Sequence, residues 1–232
     1  MTLIVKDANE TGQEAPARLG PAHPGGIKRV SVGCGPNHIR RDWWNVDVRP
    51  FKGIDEVFDA IQPWPWSGIE YVFAEHFLEH LTLQGAIAFL THAGQALKPG
   101  GKIRLSTPSL EFVVKTHFSF EGGDEARQVM QTMGMNRAFH GWGHQFLYSR
   151  PFLKKLLEDL KYDRVEFYPY RTSDDPVLHD LERHKSSQSF KMGFPGAWNV
   201  EATRGSDPPC LSAEHLAVYD VNYFRYVKSS AH

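Results

Sequence analysis

Gly33-Cys34-Gly35 follows directly on the apolar run Val30-Ser31-Val32, and Asp47 closes the next short run, Trp44-Asn45-Val46. A strand, a tight glycine turn and an acid at the tip of the following strand make the nucleoside-binding edge of a Rossmann-type sheet. Glycine is required where the chain turns with positive φ and where backbone must come close to a ligand. The acid suits a ribose, whose two hydroxyls are donors. A plain surface turn followed by an exposed Asp has the same spelling, so the rest of the chain must decide.

The rest alternates strands with helices, the pattern of a mainly parallel α/β sheet. Strands are expected at 28–32, 44–47, 54–58, 69–74, 102–106, 164–170 and 199–203. A helix is expected over 83–97, with Ile87, Leu90 and Leu97 at helical spacing and Thr82 as N-cap. Lys98-Pro99-Gly100-Gly101 ends it, because proline cannot continue the ladder and glycine takes the left-handed turn. A second amphipathic helix is expected over 151–160. The organisation read from this is an arm at 1–27, flexible and rich in Gly and Pro, with one short strand at Leu3-Ile4-Val5, then a domain over 28–206. Within that domain, 111–150 reads as an inserted cap of helix and loop, and 172–197 as a long lid-like loop. The tail, 207–232, is aromatic enough to pack on the domain or to form a homodimer contact.

Composition narrows the partners. The 26 basic and 27 acidic residues nearly cancel, so nothing asks for nucleic acid. Lys154, Lys155, Lys161 and Arg164 read as the wet face of a helix. Two cysteines, Cys34 and Cys210, are too few for a disulfide framework and fit a reducing cytoplasm. No apolar run approaches the ~20 residues of a membrane span, and the N-terminus lacks the pattern of a signal peptide.

Three pieces resemble one family: Val32-Gly33-Cys34-Gly35, Glu75-His76-Phe77-Leu78-Glu79-His80-Leu81, and Leu97-Lys98-Pro99-Gly100-Gly101-Lys102. Together they look like a class I S-adenosylmethionine-dependent methyltransferase. The resemblance covers roughly 28–204. It is nearest to a bacterial branch of predicted methyltransferases with a Gly-His-x-Phe-Leu-Tyr segment, here Gly143-His144-Gln145-Phe146-Leu147-Tyr148. It implies a Rossmann-like sheet of seven strands, mostly parallel, flanked by helices and with a reversed last hairpin. It implies S-adenosyl-L-methionine as cofactor. Gly33, Cys34 and Gly35 would pass its methionyl part, and Asp47 would bind both ribose hydroxyls. Asp59 and Ala60 would sit beside the adenine, and Glu75 and His76 would border the sulfonium. Ser31 stands where many members have an acid, and Pro36-Asn37 where a third glycine would fall.

Methyl transfer to a hydroxyl needs alignment, exclusion of water and removal of one proton, which suits an imidazole. His76, at a strand tip, and His140 and His144, flanking Gly141-Trp142-Gly143, are the candidate catalytic residues. Each has a plainer reading: His76 as a histidine bonded to the next loop, the other two as parts of a compact surface turn. Glu79 and His80 read as pins or caps of the helix that follows. Asp174, Asp175 and the histidines His179 and His184 read as a solvated loop, and Trp64 and Trp66 as turn anchors. The string His76-x-x-Glu79-His80 also matches that of inverted zinc proteases, which need it inside a helix. No metal ligand is assigned, and a methyltransferase that also uses a divalent metal stays among the readings. The expected activity is methylation of a small-molecule or saccharide-like acceptor at a hydroxyl. The alternatives are a non-catalytic nucleoside-binding protein of the same fold and a zinc hydrolase.

Overall fold

A computed structural model describes residues 26–227 apart from 120 and 122. The strand expected at Leu3-Ile4-Val5 lies outside the described residues, as does all of the N-terminal arm but its last two residues. The strands are β1 (Arg29–Val32), β2 (Trp44–Asp47), β3 (Glu56–Val57), β4 (Ile69–Glu75), β5 (Leu97–Pro108), β6 (Tyr162–Tyr168), β7 (Phe190–Lys191), β8 (Phe194–Pro195) and β9 (Ala197–Arg204). The helices are α1 (Leu83–Ala96), α2 (Leu110–His117), α3 (Glu125–His140), α4 (Arg150–Asp159) and α5 (Ala213–Tyr219). Seven strands form one sheet in the order β3-β2-β1-β4-β5-β9-β6. β1 to β5 pair in parallel, and β9 runs antiparallel between β5 and β6. The reversed hairpin is therefore present. β7 and β8 make a separate small ribbon. Among the described residues no helix is long and apolar enough to cross a membrane.

The parallel strands are covered on both faces, which is why they read as apolar runs rather than alternating ones. Val30, Val72, Ile103 and Val200 are fully buried, beneath Ala86, Phe89, Leu90 and Ala93 of α1 and Leu153, Leu156 and Leu157 of α4. Burying each Leu or Phe contributes about 1.5–3 kcal/mol. Thr82 caps α1 by accepting from Gly85 N at 3.0 Å. The helix stops at Leu97, already extended. Ile69 pairs with Leu97, and the next pair is Tyr71 with Lys102, so Lys98–Gly101 bulge out of the strand. β5 thus begins earlier than the 102 expected.

Two more differences from the expected spans have local causes. β3 is only two residues, because it is an edge strand paired with β2 alone. β6 starts at Tyr162, not 164, because Tyr162 is anchored beneath α1 by its hydroxyl on Leu90 O, 2.7 Å away. A bulge between Asp163 and Glu166, with Arg164 at φ 47°, then shifts the register.

The segment 172–197 lies against the sheet. Leu178 and Leu181 pack with Trp43 and Phe73. The fully buried Arg104 of β5 pairs with Glu182 at 2.6 Å and with Glu201 of β9. At the C-terminal end Tyr219 is buried with its hydroxyl on Asp159, and Tyr223 meets Phe146 edge-on.

Candidate active site

β1, β2 and β4 all deliver their carboxyl ends to one edge, where ligands of such sheets bind. A cavity of about 440 Å³ opens there, lined by Gly33, Gly35, Asp47, Asp59, Ala60, His76, Phe77, His80 and Trp142 among others. A cavity of similar size, about 450 Å³, lies at the opposite ends of β1 and β2, lined by residues 26–29, 41–44 and Asp55. The first is the candidate site, because the glycine turn and Asp47 at the tip of β2 both line it.

The glycine turn is shaped as its sequence requires. Gly33 has φ +63°, and a Cβ there would fall 2.4 Å from Phe77 Cδ2. Gly35 has φ +54°, with open space where a Cβ would point. Its N–H donates to Asp47 Oδ2 at 3.0 Å, and Arg49 N donates to Oδ1 at 3.0 Å. Two backbone donors thus fix the Asp47 carboxylate, and each oxygen keeps a lone pair for another donor. The Asp59 carboxylate accepts from one backbone donor, Ile61 N at 3.2 Å, and Ala60 O accepts from Trp64 Nε1 at 3.0 Å. Trp64 and Trp66 pack on each other and on Phe58, so they anchor this wall.

Cys34 and Glu75 stand at the expected positions but turn elsewhere. The Cys34 thiol is buried toward Val46 O, and burial, reinforced by the charge of Asp47, pushes its pKa up to about 11. Only its backbone belongs to the turn. The Glu75 carboxylate accepts from Arg183 N at 2.8 Å and His184 N at 2.8 Å, with Arg40 Nη2 at 3.8 Å. It ties the segment 172–197 to the tip of β4 and is absent from the cavity lining.

The histidines divide. His76 lines the cavity in a left-handed conformation, φ 48°, yet both ring nitrogens are engaged: Nδ1 with Glu79 Oε1 at 2.9 Å, Nε2 with Ser187 Oγ at 2.9 Å. Its ring stacks on His184 at 4.0 Å. The order Ser–His–Glu is that of nucleophilic triads. Ser187 is only 2% exposed, however, so the chain serves to orient Glu79 rather than to present a nucleophile. Glu79 is itself fully buried, with Oε2 accepting from Thr107 Oγ1 at 3.1 Å. Burial alone would raise its pKa. The hydrogen bond and charge of His76, with backbone donors and His80, outweigh that and hold it below the ordinary value.

His144 places its ring 5.2 Å from that of His80, and its Nδ1 meets Ala138 O at 2.8 Å. His140 is exposed at the end of α3 and does not reach the lining. Neither Glu79 nor His80 caps α1, which Thr82 does. His80 instead faces the cavity, and Glu79 O receives Gln145 N at 2.7 Å. Sequence reasoning missed His80 and Phe58 as lining residues, while the aromatic loop at Trp142 does line the cavity. The His-x-x-Glu-His string was the available signal, but it sits on a 3-10 turn (Leu78–His80) after a strand, not in a helix. With both nitrogens of His76 engaged, His76 and His80 do not form the protease's zinc pair.

No family profile matches this chain, and no curated protein does. Solved structures do. A SAM-dependent methyltransferase from Archaeoglobus fulgidus aligns with 79% of this chain and 88% of its own, at 14% identity and a TM-score of 0.51. The chain has the fold of a SAM-dependent methyltransferase. An S-adenosylmethionine-dependent methyltransferase from Mesorhizobium loti is similar over 77% of this chain and 91% of its own, at 14% identity and a TM-score of 0.46. The CurJ carbon methyltransferase is similar at 14% identity and a TM-score of 0.44 over 82% of this chain, which spans 50% of that protein's length.

Proposed function

We propose that this chain is an S-adenosylmethionine-dependent methyltransferase that methylates a hydroxyl of a small-molecule or saccharide-like acceptor. The observation that carries the reading is the carboxylate of Asp47, held by two backbone donors beside the Gly33–Gly35 turn at the carboxyl edge of the sheet. The residues present fit the cofactor. Asp47 would take the ribose hydroxyls, Asp59 and Ala60 the adenine edge, and the open space over Gly35 the methionyl chain. When bound, the cofactor supplies a methyl group already activated on a sulfonium. The protein has to align the acceptor, exclude water and dispose of one proton. His76 has no uncommitted nitrogen for that task. The imidazoles left at this end are those of His80 and His144, with Trp142, 71% exposed, over the cavity mouth.

Calorimetric titration with S-adenosylmethionine and S-adenosylhomocysteine tests the cofactor. Micromolar binding lost in Asp47→Ala supports it, and absence of binding to either ligand refutes it. Transfer of labelled methyl to a panel of polyols, sugars, amines and thiols tests the acceptor. Binding without transfer to any of them would favour a nucleoside-binding protein.

A further inference from the structure

We infer that Glu79, His80 and His144 form a site for one divalent transition-metal cation at the Trp142 end of the cavity. One carboxylate oxygen and one nitrogen from each imidazole lie within 4.8 Å of one another. Bonds of about 2.0–2.2 Å to zinc place ligand atoms roughly 3.3 Å apart, so shifts on the order of 1 Å complete the set. The sequence alone leaves a divalent metal open without naming its ligands, and the rival motif pairs His76 with His80. The structure groups a different trio, drawn from two distant segments.

Three features make this more than a chance cluster. First, the ligand atoms are in the right chemical state. His144 Nδ1 faces a carbonyl, Ala138 O, which only accepts, so Nδ1 carries the proton and Nε2 the lone pair. A ligating histidine whose other nitrogen donates to a carbonyl is the usual outer-shell arrangement. Second, Glu79 is oriented by His76 and Thr107, one on each oxygen, and each oxygen retains a further lone pair. Third, the two segments are clamped together by the backbone and side chain of Gln145. Glu79 O receives Gln145 N at 2.7 Å, and His80 O receives Gln145 Nε2 at 2.7 Å across 65 residues of sequence. Trp142 at φ 57° and Gly143 at φ +81° make the turn that brings His144 opposite His80.

Two imidazoles and one carboxylate suit zinc or another first-row divalent ion better than calcium or magnesium, which prefer oxygen throughout. Three protein ligands leave a coordination position open, and His80 lines the cavity. Resting on the methyltransferase reading, the cation would bind the acceptor's hydroxyl oxygen and lower its pKa. The O–H bond breaks, its electron pair stays on oxygen and the proton leaves to bulk solvent; that oxygen then takes the methyl as the sulfonium S–C bond breaks and S-adenosylhomocysteine departs. The acceptor class narrows to one whose reacting hydroxyl can reach a metal.

The test is calorimetric titration of chelator-treated full-length chain with Zn²⁺, paired with the visible spectrum of the Co²⁺ form. One equivalent should bind. His80→Ala and His144→Ala should each weaken it by more than the 10–100-fold that loss of an outer-shell partner causes, while His179→Ala should not. Absence of stoichiometric binding, or equal binding by the His80 and His144 variants, overturns the site. Should either variant misfold, the unaltered chain decides: Zn²⁺ must protect His80 and His144, and not His179, from diethyl pyrocarbonate. Failure of protection also overturns it. None of these readouts uses S-adenosylmethionine, so loss of the metal site and loss of the cofactor reading are separately visible.

Discussion

The two ends of the cavity are built differently. The nucleoside end, Gly33 to Asp59, is one continuous stretch whose polar groups are fixed by neighbours close in sequence, such as Gly35 N on Asp47. The histidine end joins 76–80, 142–146 and 184–187 through side chains that meet only in the fold. Short-range hydrogen bonds fix the Asp47 and Asp59 carboxylates of the first end, although Arg40 and Trp43 tie the same stretch to the segment 172–197. Long-range construction makes the second end depend on every segment that enters it. Substitutions should therefore separate the ends: changes at one should alter ligand affinity without unfolding, and changes at the other should alter both.

Glu79→Ala gives the largest separation. It removes a fully buried carboxylate that His76 and Thr107 both address. Breaking a buried charged pair from one side costs about 3–5 kcal/mol. Urea unfolding should show a loss of that order, with Glu79→Gln losing less because the amide keeps an acceptor. Equal stability of Glu79→Ala and the parent would mean that the histidine end is not the integrated unit described here.

Gly33→Ala comes next. Its Cβ would overlap the Phe77 ring at 2.4 Å, and φ +63° disfavours any side chain. Left-handed strain and overpacking together cost about 2–4 kcal/mol. Because Phe77 lies between the two ends, this change should reduce both stability and S-adenosylhomocysteine binding. It is the bridge that breaks the otherwise clean division.

Asp47→Asn should affect binding more than stability, since the amide keeps one oxygen for a backbone donor but turns an NH2 toward the other. Loss of charge-assisted hydrogen bonds of about 1.5–3 kcal/mol weakens S-adenosylhomocysteine by roughly 10–100-fold. Its melting temperature should fall less than that of Gly33→Ala. A large drop in melting temperature with unchanged affinity would make Asp47 a structural turn residue.

The same contrast governs what was legible in the sequence. The positions of most sheet strands, the glycine turn, the N-cap at Thr82 and the stop at Lys98–Gly101 follow from local chemistry, so they could be read directly. Asp47 and Asp59 fell where a strand tip places them. Glu75 was read to the right strand end but the wrong direction, because its partners Arg183 and His184 lie more than a hundred residues away. His80 was read as a helix pin because its approach to His144 depends on the turn at Trp142 and Gly143. In Gly143-His144-Gln145-Phe146-Leu147-Tyr148 the extended chain alternates. Phe146 and Tyr148 join the aromatic cluster under α4, and Leu147 packs with Val113 and Ala138 on the other side. That alternation explains the segment's spelling, but only the fold says what His144 meets.

The smallest expected effect lies where the two ends touch the segment 172–197. Burial lowers the pKa of His184, and the neighbouring His76 and His38 add to this against the opposing charges of Glu75 and Glu79. Burial likewise lowers that of His38, with Glu75 opposing and Arg40, Arg183 and His76 adding. Each folded-state pKa is thus below the unfolded value of about 6.5. Between the two values the unfolded chain binds more protons, so stability rises with pH there. The contribution is complete above about pH 6.5 and is lost as pH falls through the folded values. Urea midpoints measured from neutral pH downward should therefore decline from about pH 6.5, and His184→Asn should shallow that decline. The first element to open should be 183–188, since protonation of His184 acts on the segment that Glu75 and His76 hold. Limited proteolysis across the same pH range reads this directly. Cleavage near Ser187 that precedes any loss of S-adenosylhomocysteine binding would show the histidine end loosening while the nucleoside end stays intact. Simultaneous loss of both would show that the two ends, for all their difference in construction, unfold as one.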